Sequence, residues 1–275
     1  MIVKFYGTRG SVPVCDANFQ KFGGNTTCIS IYIKETDNIF IIDAGTGIRN
    51  LGQDMMADKN RQKIIGIGFT HFHWDHIQGF PFFLPAYRKD TIVNINSVGD
   101  TSEKELKSIL QGQMQSEYFP IPMSKMGSKF KFTNLGTEYI NVNGIRVKMI
   151  KQNHPGTSYG VRIEINGSSL VICTDVEHEK KISEDFIDFC KDADLLIHDA
   201  QYTDNELEKH RGWGHSSYNQ ALEVAERSNA KMLVMTHHDP DHDDDFLKKQ
   251  EKICQERFKS CELAREGTKY DLDDL

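Results

Sequence analysis

The chain reads as an α/β protein with helices packed on two β-sheets, and two features of the sequence predict it. Short apolar, β-branched runs alternate with amphipathic helical stretches along all 275 residues, the pattern of helices layered on sheets. Several of those runs end in a His or an Asp, as strands do when their carboxyl ends converge on a cleft. In chain order the predicted strands are Ile2–Tyr6, Cys28–Ile33, Ile39–Ile42, Ile64–Phe69, Ile92–Asn96, Arg146–Ile150, Tyr159–Ile165, Leu170–Cys173, Leu195–Ile197 and Met232–Met235. So many strands call for two sheets. The clearest helix is Ser217–Ser228, where Tyr218, Ala221, Leu222 and Ala225 share one face and Ser216 or Ser217 caps the start. Ser102–Ser116 carries Leu106, Ile109, Leu110 and Met114 on one stripe. Ser183–Lys191 and Asp244–Phe258 complete the set, the last behind the acidic run Asp239–Asp245 that suits a helix amino end.

The length permits one domain or two. With no Pro/Ser/Gly linker, internal repeat or low-complexity run, the expectation is a single domain over residues 1–275. No apolar run approaches the ~18 residues needed to span a bilayer, and Met1–Tyr6 reads as a first strand rather than a secretion signal. Six cysteines without a C-x-x-C pair encode neither a disulfide framework nor a thiolate zinc site. A soluble protein of the reducing cytoplasm is therefore expected, with no membrane partner. Lys and Arg number 33 against 40 Asp and Glu, a net charge of -7. That opposes binding of a long nucleic acid through its phosphates and leaves room for a small anionic substrate drawn in by metals.

The stretch Thr70–Gly79 reads T-H-F-H-W-D-H-I-Q-G and crowds His71, His73, Asp75 and His76 together directly after an apolar strand. Imidazoles and carboxylates are ligands for Zn, Mn or Fe, and so many of them would be left unpaired unless a cation gathered them. If the strand runs on through His73, its period of two points His71 and His73 the same way, with Asp75 and His76 at the following turn. Two ligands then face one metal and two face another. Elsewhere in the chain, Asp43, His154, Asp175, Asp199 and His237 also follow predicted strands. Carboxylates behind ligand histidines commonly fix their tautomer, the role expected of Asp199 and Asp43.

These residues resemble the metallo-β-lactamase fold superfamily of hydrolases. The matching pieces are H-x-H-x-D-H at His71–His76, D-A-G-T-G at Asp43–Gly47, then His154, Asp175 and His237. The H-S-S at His215–Ser217 is similar to the branch that holds ribonuclease Z and the small phosphodiesterases, which has an active-site histidine there, outside the metal ligands. The resemblance implies a four-layer αββα sandwich and two divalent metal ions (Zn, Mn or Fe). His71, His73 and His154 would hold one ion, Asp75, His76 and His237 the other, and Asp175 would bridge them. It implies hydrolysis by a hydroxide shared between the metals, with Asp75 orienting it and His215 as general acid, a role worth typically ~10²–10⁴-fold in rate. Homodimers are also implied by the resemblance.

Departures within the superfamily narrow the expectation. Positions 154 and 175 are only 21 apart, too close for the long tRNA-clamping arm often inserted there. β-Lactamases proper carry Cys where this chain has Asp175, and flavodiiron proteins put Glu in place of the second motif histidine and add a flavodoxin domain. Cys15 and Cys28 stand apart, so no structural zinc is expected. What remains is a compact phosphodiesterase for a small phosphodiester, a cyclic nucleotide by expectation. The alternatives are an acyl or lactone-ester metallohydrolase, a tRNA 3′-end endonuclease and, last, a di-iron sensor. Gly7–Ser11 (G-T-R-G-S) reads either as a phosphate loop with Arg9 as its guanidinium or as a plain turn. Asn25 lines the cleft or holds a loop. Trp213 stacks on substrate or wedges a loop, Tyr118–Met123 is a lid or core, and Lys129–Phe132 fits an edge hairpin.

Overall fold

The computed structural model describes residues 1–59, 62–136, 139–142 and 144–275. Its strands are β1 (Ile2–Gly7), β2 (Cys28–Ile33), β3 (Asn38–Ile42), β4 (Ile64–Gly68), β5 (Ile92–Ser97), β6 (Lys129–Asn134), β7 (Ile140–Val142), β8 (Ile145–Gln152), β9 (Ser158–Ile165), β10 (Ser168–Cys173), β11 (Leu195–Asp199), β12 (Met232–Thr236), β13 (Cys261–Leu263) and β14 (Lys269–Asp271). Its helices are α1 (Ile48–Ala57), α2 (Trp74–Ile77), α3 (Glu103–Gly112), α4 (Glu184–Cys190), α5 (Asp204–Leu207), α6 (Tyr218–Arg227) and α7 (Asp244–Arg257). The first sheet has the order β14-β1-β2-β3-β4-β5-β6 and the second β13-β12-β11-β10-β9-β8-β7. Each is half antiparallel and half parallel: β3 to β6 run parallel in one, β10 to β13 in the other.

The side-chain period of two sorts each strand between layers. On β10, Leu170 and Ile172 enter the core between the sheets, whereas Val171 and Cys173 join the cluster under α4, α6 and α7. On β2, Ile29, Ile31 and Ile33 face the opposite sheet, and Cys28 packs toward α1 and α3. Three apolar clusters thus separate four layers, helix, sheet, sheet, helix. Because both faces of these strands are buried, they read in the sequence as unbroken apolar runs. α6 starts where Ser217 caps it, its hydroxyl accepting from Gln220 N–H while Gln220 reaches back, and α3 is capped in the same reciprocal way by Ser102 and Glu105.

Two sequence expectations give way, and one helix had none. Strand β4 ends at Gly68, so His71 and His73 do not share an extended strand; His73 is the residue before α2. Lys129–Asn134 is no hairpin: it pairs parallel with β5 from Ile92↔Lys129 to Ser97↔Asn134 and packs Phe130 and Phe132 on the helix side. Helix α1 went unpredicted because Gly52 breaks its propensity; its Ile48, Leu51 and Met55 are nonetheless buried, and Gly52 lets Leu84 and Pro85 approach closely. In the Tyr118–Met123 run, Phe119 packs edge-on against Phe82 and Met123 is core, while Tyr118 is exposed. No helix among the described residues is long and apolar enough to cross a membrane.

His238, two residues after β12, is buried, donating Nε2–H to the Ala264 carbonyl at 2.9 Å. Burial, with Arg9 nearby, pushes its imidazole down to about 3. A folded value below the ordinary one means that the neutral ring contributes stability above pH ~6.5 that is lost as pH falls toward 3, by about 1.4 kcal/mol per pH unit. Denaturant melts from pH 7 to 4 should therefore show a steeper loss for the wild type than for His238→Gln. Equal slopes would refute this.

Candidate metal centre

The parallel strands of both sheets end at the same rim, and the backbone does something unusual there. Asp43 follows β3 with φ 62°, Asp175 comes two residues after β10 with φ 58°, and His237 follows β12 with φ 64°. Left-handed backbone at a non-glycine residue costs of order 1–2 kcal/mol, and such strain persists where the surroundings over-determine it. Here it turns three side chains into one space.

His71, His73 and His154 form one group and Asp75, His76, Asp175 and His237 another, each with its donor atoms within 4.8 Å of one another. His73 Nδ1 lies 3.0 Å from His154 Nε2. Asp175 sits between the groups. Its Oδ1 is 3.7 Å from His71 Nε2, 3.9 Å from His154 Nε2 and 3.3 Å from His237 Nε2, and its Oδ2 is 3.2 Å from His76 Nε2. Asp75 Oδ2 is 3.1 Å from His237 Nε2 and accepts the Ser11 N–H at 2.8 Å.

Behind these donors, among the described residues, every other imidazole nitrogen but that of His73 has an oxygen partner. Asp43 accepts from His76 Nδ1–H, Thr70 N–H and Thr70 Oγ1–H, each at 2.8 Å, and Thr70 Oγ1 lies 3.1 Å from His71 Nδ1. His154 Nδ1–H donates to the Gly214 carbonyl at 2.9 Å, and His237 Nδ1–H to Gln201 Oε1 at 3.0 Å. His215 Nδ1–H donates to Asp199 Oδ2 at 2.8 Å, and Asp199 Oδ1 takes the Ser216 N–H at 2.8 Å. His71, His76, His154 and His237 thereby turn Nε2 toward Asp175, the nitrogen that a metal would take.

The cluster's electrostatics ask for cations. Burial opposes charge at His76, yet Asp175, Asp75 and Asp43 hold its imidazole well above the usual range. His237 is pushed up to about 9 against the same burial, chiefly by Asp175 and Asp75. Burial and the neighbouring His76 drive His71 well down. Asp175 is held far below the usual carboxylate range by His237, His76 and His71, although burial alone would raise it. His71 Nε2, His76 Nε2 and Asp175 Oδ2 are buried without a hydrogen-bonding partner among the described residues. Such orphaned atoms around one carboxylate fit a pair of divalent ions, which would satisfy all of them.

A sequence profile described as a beta-lactamase superfamily domain matches residues 38–238. The chain belongs to the metallo-β-lactamase superfamily. Among its relatives is a ribonuclease Z from Sulfurisphaera tokodaii, 26% identical, covering 93% of this chain and 94% of the relative. Among solved structures it is similar to a diphosphatase from the PhnP family (TM-score 0.73, 17% identity, 98% and 97% covered) and to Zn(2+)-bound PqqB from Methylobacterium extorquens (0.73, 15%, 98% and 100%). The four-layer sandwich implied by the resemblance is the fold observed. This metallo-β-lactamase chain is a metal-dependent hydrolase in the ribonuclease Z branch, and its cofactor is a pair of divalent ions.

Of the two roles the sequence leaves open for Arg9 and Asn25, substrate contact or loop, both residues take the second. Arg9 is fully buried; its guanidinium donates to the carbonyls of Gly23, Asp239 and His242, tying the first loop to the last. Asn25 donates its side-chain amide to Glu266 and holds a loop. The pentapeptide Gly7–Ser11 serves the centre through backbone: Ser11 N–H positions Asp75, and a Cβ on Gly10 would come within 2.2 Å of the His237 ring. Gln201, Thr70 and Gly214 escaped sequence reasoning because an amide, a hydroxyl and a carbonyl carry no metal signature. Gln201 is in turn fixed by Asp239, which accepts from its amide at 3.3 Å. Gln201→Leu removes the oxygen behind His237 and is expected to weaken affinity for the second ion about 10–100-fold, measured by competition with a chromogenic chelator. Unchanged affinity would remove Gln201 from this role.

Proposed function

We propose that residues 1–275 form one dinuclear phosphodiesterase unit that hydrolyses a small, cyclic-nucleotide-type phosphodiester in the cytoplasm. In this reading His71, His73 and His154 hold one ion, Asp75, His76 and His237 the second, and Asp175 both. When bound, the ions would supply Lewis acidity at the phosphoryl group and a water acidified toward neutrality. The chain's own residues supply the rest. Asp75, held by Ser11 N–H and lying between His76 and His237, orients the attacking water. His215 donates the proton that the leaving alkoxide needs.

The observation that carries the reading is the His215–Asp199 pair. A side-chain nitrogen of His215 lies within 4.8 Å of donor atoms of His154 and Asp175, while Asp199 fixes the proton on Nδ1 and steadies the ring when it is charged. An ester with a poor leaving group gains most from such an acid. The short 154–175 interval and the net charge of -7 favour a small substrate over a polynucleotide. A second reading, tRNA 3′-end cleavage, is supported by the relatives named ribonuclease Z.

The test is product analysis of protein loaded separately with Zn and Mn on 3′,5′-cyclic and 2′,3′-cyclic nucleotides, cyclic dinucleotides and a precursor tRNA. Opening of a cyclic nucleotide, lost in His71→Ala, supports the first reading. Cleavage of the tRNA alone supports the second, and inertness toward every phosphodiester in doubly loaded protein refutes both.

A further inference from the structure

We infer that the open cleft beside His71 and His73 is the specificity pocket, which takes the single nucleoside of the substrate while its phosphoryl group lies at the metal centre. The inference rests on the phosphodiesterase reading and deepens it. The cleft has a volume of about 560 Å³ and counts both histidines among its walls, within the size of natural small-molecule sites. A ligand reacting at the cluster can therefore extend into it without a gap.

Its floor is aromatic. Phe72, between the two histidines in sequence, is half-buried and packs against Phe69 at 5.7 Å. Tyr159 is 7% exposed, its ring fixed because Gly99 leaves space for the hydroxyl; a Cβ there would lie 1.9 Å away. Every nucleobase has a face that stacks on an aromatic ring such as the half-buried Phe72. Polar groups left unused converge above this floor. The side chains of Lys151 and Asp100 make no hydrogen bond or ion pair with any described residue, and neither does the Thr157 hydroxyl. Thr157 adds an independent sign. It is β-branched yet held at φ 70°, its N–H donating to the His154 carbonyl at 2.9 Å, a conformation such residues avoid unless the site requires it.

The charges select for size. Asp100 and Glu105 set two carboxylates against the one cation Lys151, and Glu105 spends only Oε2 on capping α3 at Ser102. A run of phosphates threaded through this cleft meets net negative charge. A nucleoside instead offers base N–H and ribose O–H groups to those carboxylates, with Lys151 left for a base or ribose acceptor.

The experiment uses the doubly metal-loaded protein, with AMP, GMP and inorganic phosphate as calorimetric probes. Ser108→Trp, at an exposed position of α3 on the cleft wall, fills the space; Lys151→Ala removes the cation. Both are expected to weaken AMP or GMP binding, Ser108→Trp by about tenfold or more, the loss of one stacked base, with phosphate affinity retained. Equal loss of nucleotide and phosphate affinity, unchanged nucleotide affinity, or no nucleotide binding by the loaded wild type would each overturn it. The two ideas fail separately. Nucleotide binding that is lost in the variants, without hydrolysis of any phosphodiester, sinks the phosphodiesterase and keeps the cleft; cyclic-nucleotide turnover with wild-type KM in both variants does the reverse.

Discussion

Asp175→Ala should lose at least one of the two metal ions and at least about 10³-fold in phosphodiester turnover, since the ions contribute several kcal/mol of transition-state stabilisation. The reason is position. Asp175 approaches both groups of donors: His71 and His154 on one side and His76 and His237 on the other. The metal-free protein should suffer as well. Raised histidines contribute stability that is present below their ordinary value near pH 6.5 and is lost as pH rises through the folded value, about 9 for His237. Asp175 is the strongest support for both His76 and His237, so at pH 6 the metal-free variant should melt below the metal-free wild type. Elemental analysis with kcat on the same samples decides the first part. Two retained ions and near-normal turnover would exclude Asp175 as the bridge.

His215→Ala should separate chemistry from metal binding. Both ions stay, because the rings proposed to hold them keep their own partners, while kcat for an alkyl phosphodiester falls about 10²–10⁴-fold. An ester with a 4-nitrophenolate leaving group, which departs without a proton, should lose far less. This contrast tests His215 as an acid rather than as a strut for its neighbour His237, whose ring stacks on it at 4.8 Å. A loss equal for both esters would assign it the structural part.

Much of this architecture was readable because burial on both strand faces writes itself as apolar runs. β2 was predicted to the residue, and β10, β11 and β12 to within two at either end. Strands without that signal were missed or misread: β13 and β14 are three residues each and sit at sheet edges, and β6, which alternates Lys with Phe, reads as a solvated hairpin. At the site, His, Asp and their order along the chain were legible because few side chains bind cations. Arg9 shows the limit. A guanidinium serves carbonyls as well as phosphate, and only burial distinguishes the two uses. The left-handed turns at Asp43, Asp175 and His237 leave no trace in residue type beyond the tolerance of Asp for that region.

The split of the site between the two sheets has a consequence for how the protein is made. Asp43 and the His71–His76 motif emerge with the first sheet, whereas His154, Asp175 and His237 belong to the second, and the Arg9 guanidinium waits for carbonyls at Asp239 and His242. A chain still on the ribosome holds at most a partial cage. Full occupancy then comes only after synthesis has passed His237 and the halves have docked, at which point the ions act as a clasp. Chelation should accordingly speed global unfolding rather than merely silence the enzyme, because the clasp joins the two halves that must part.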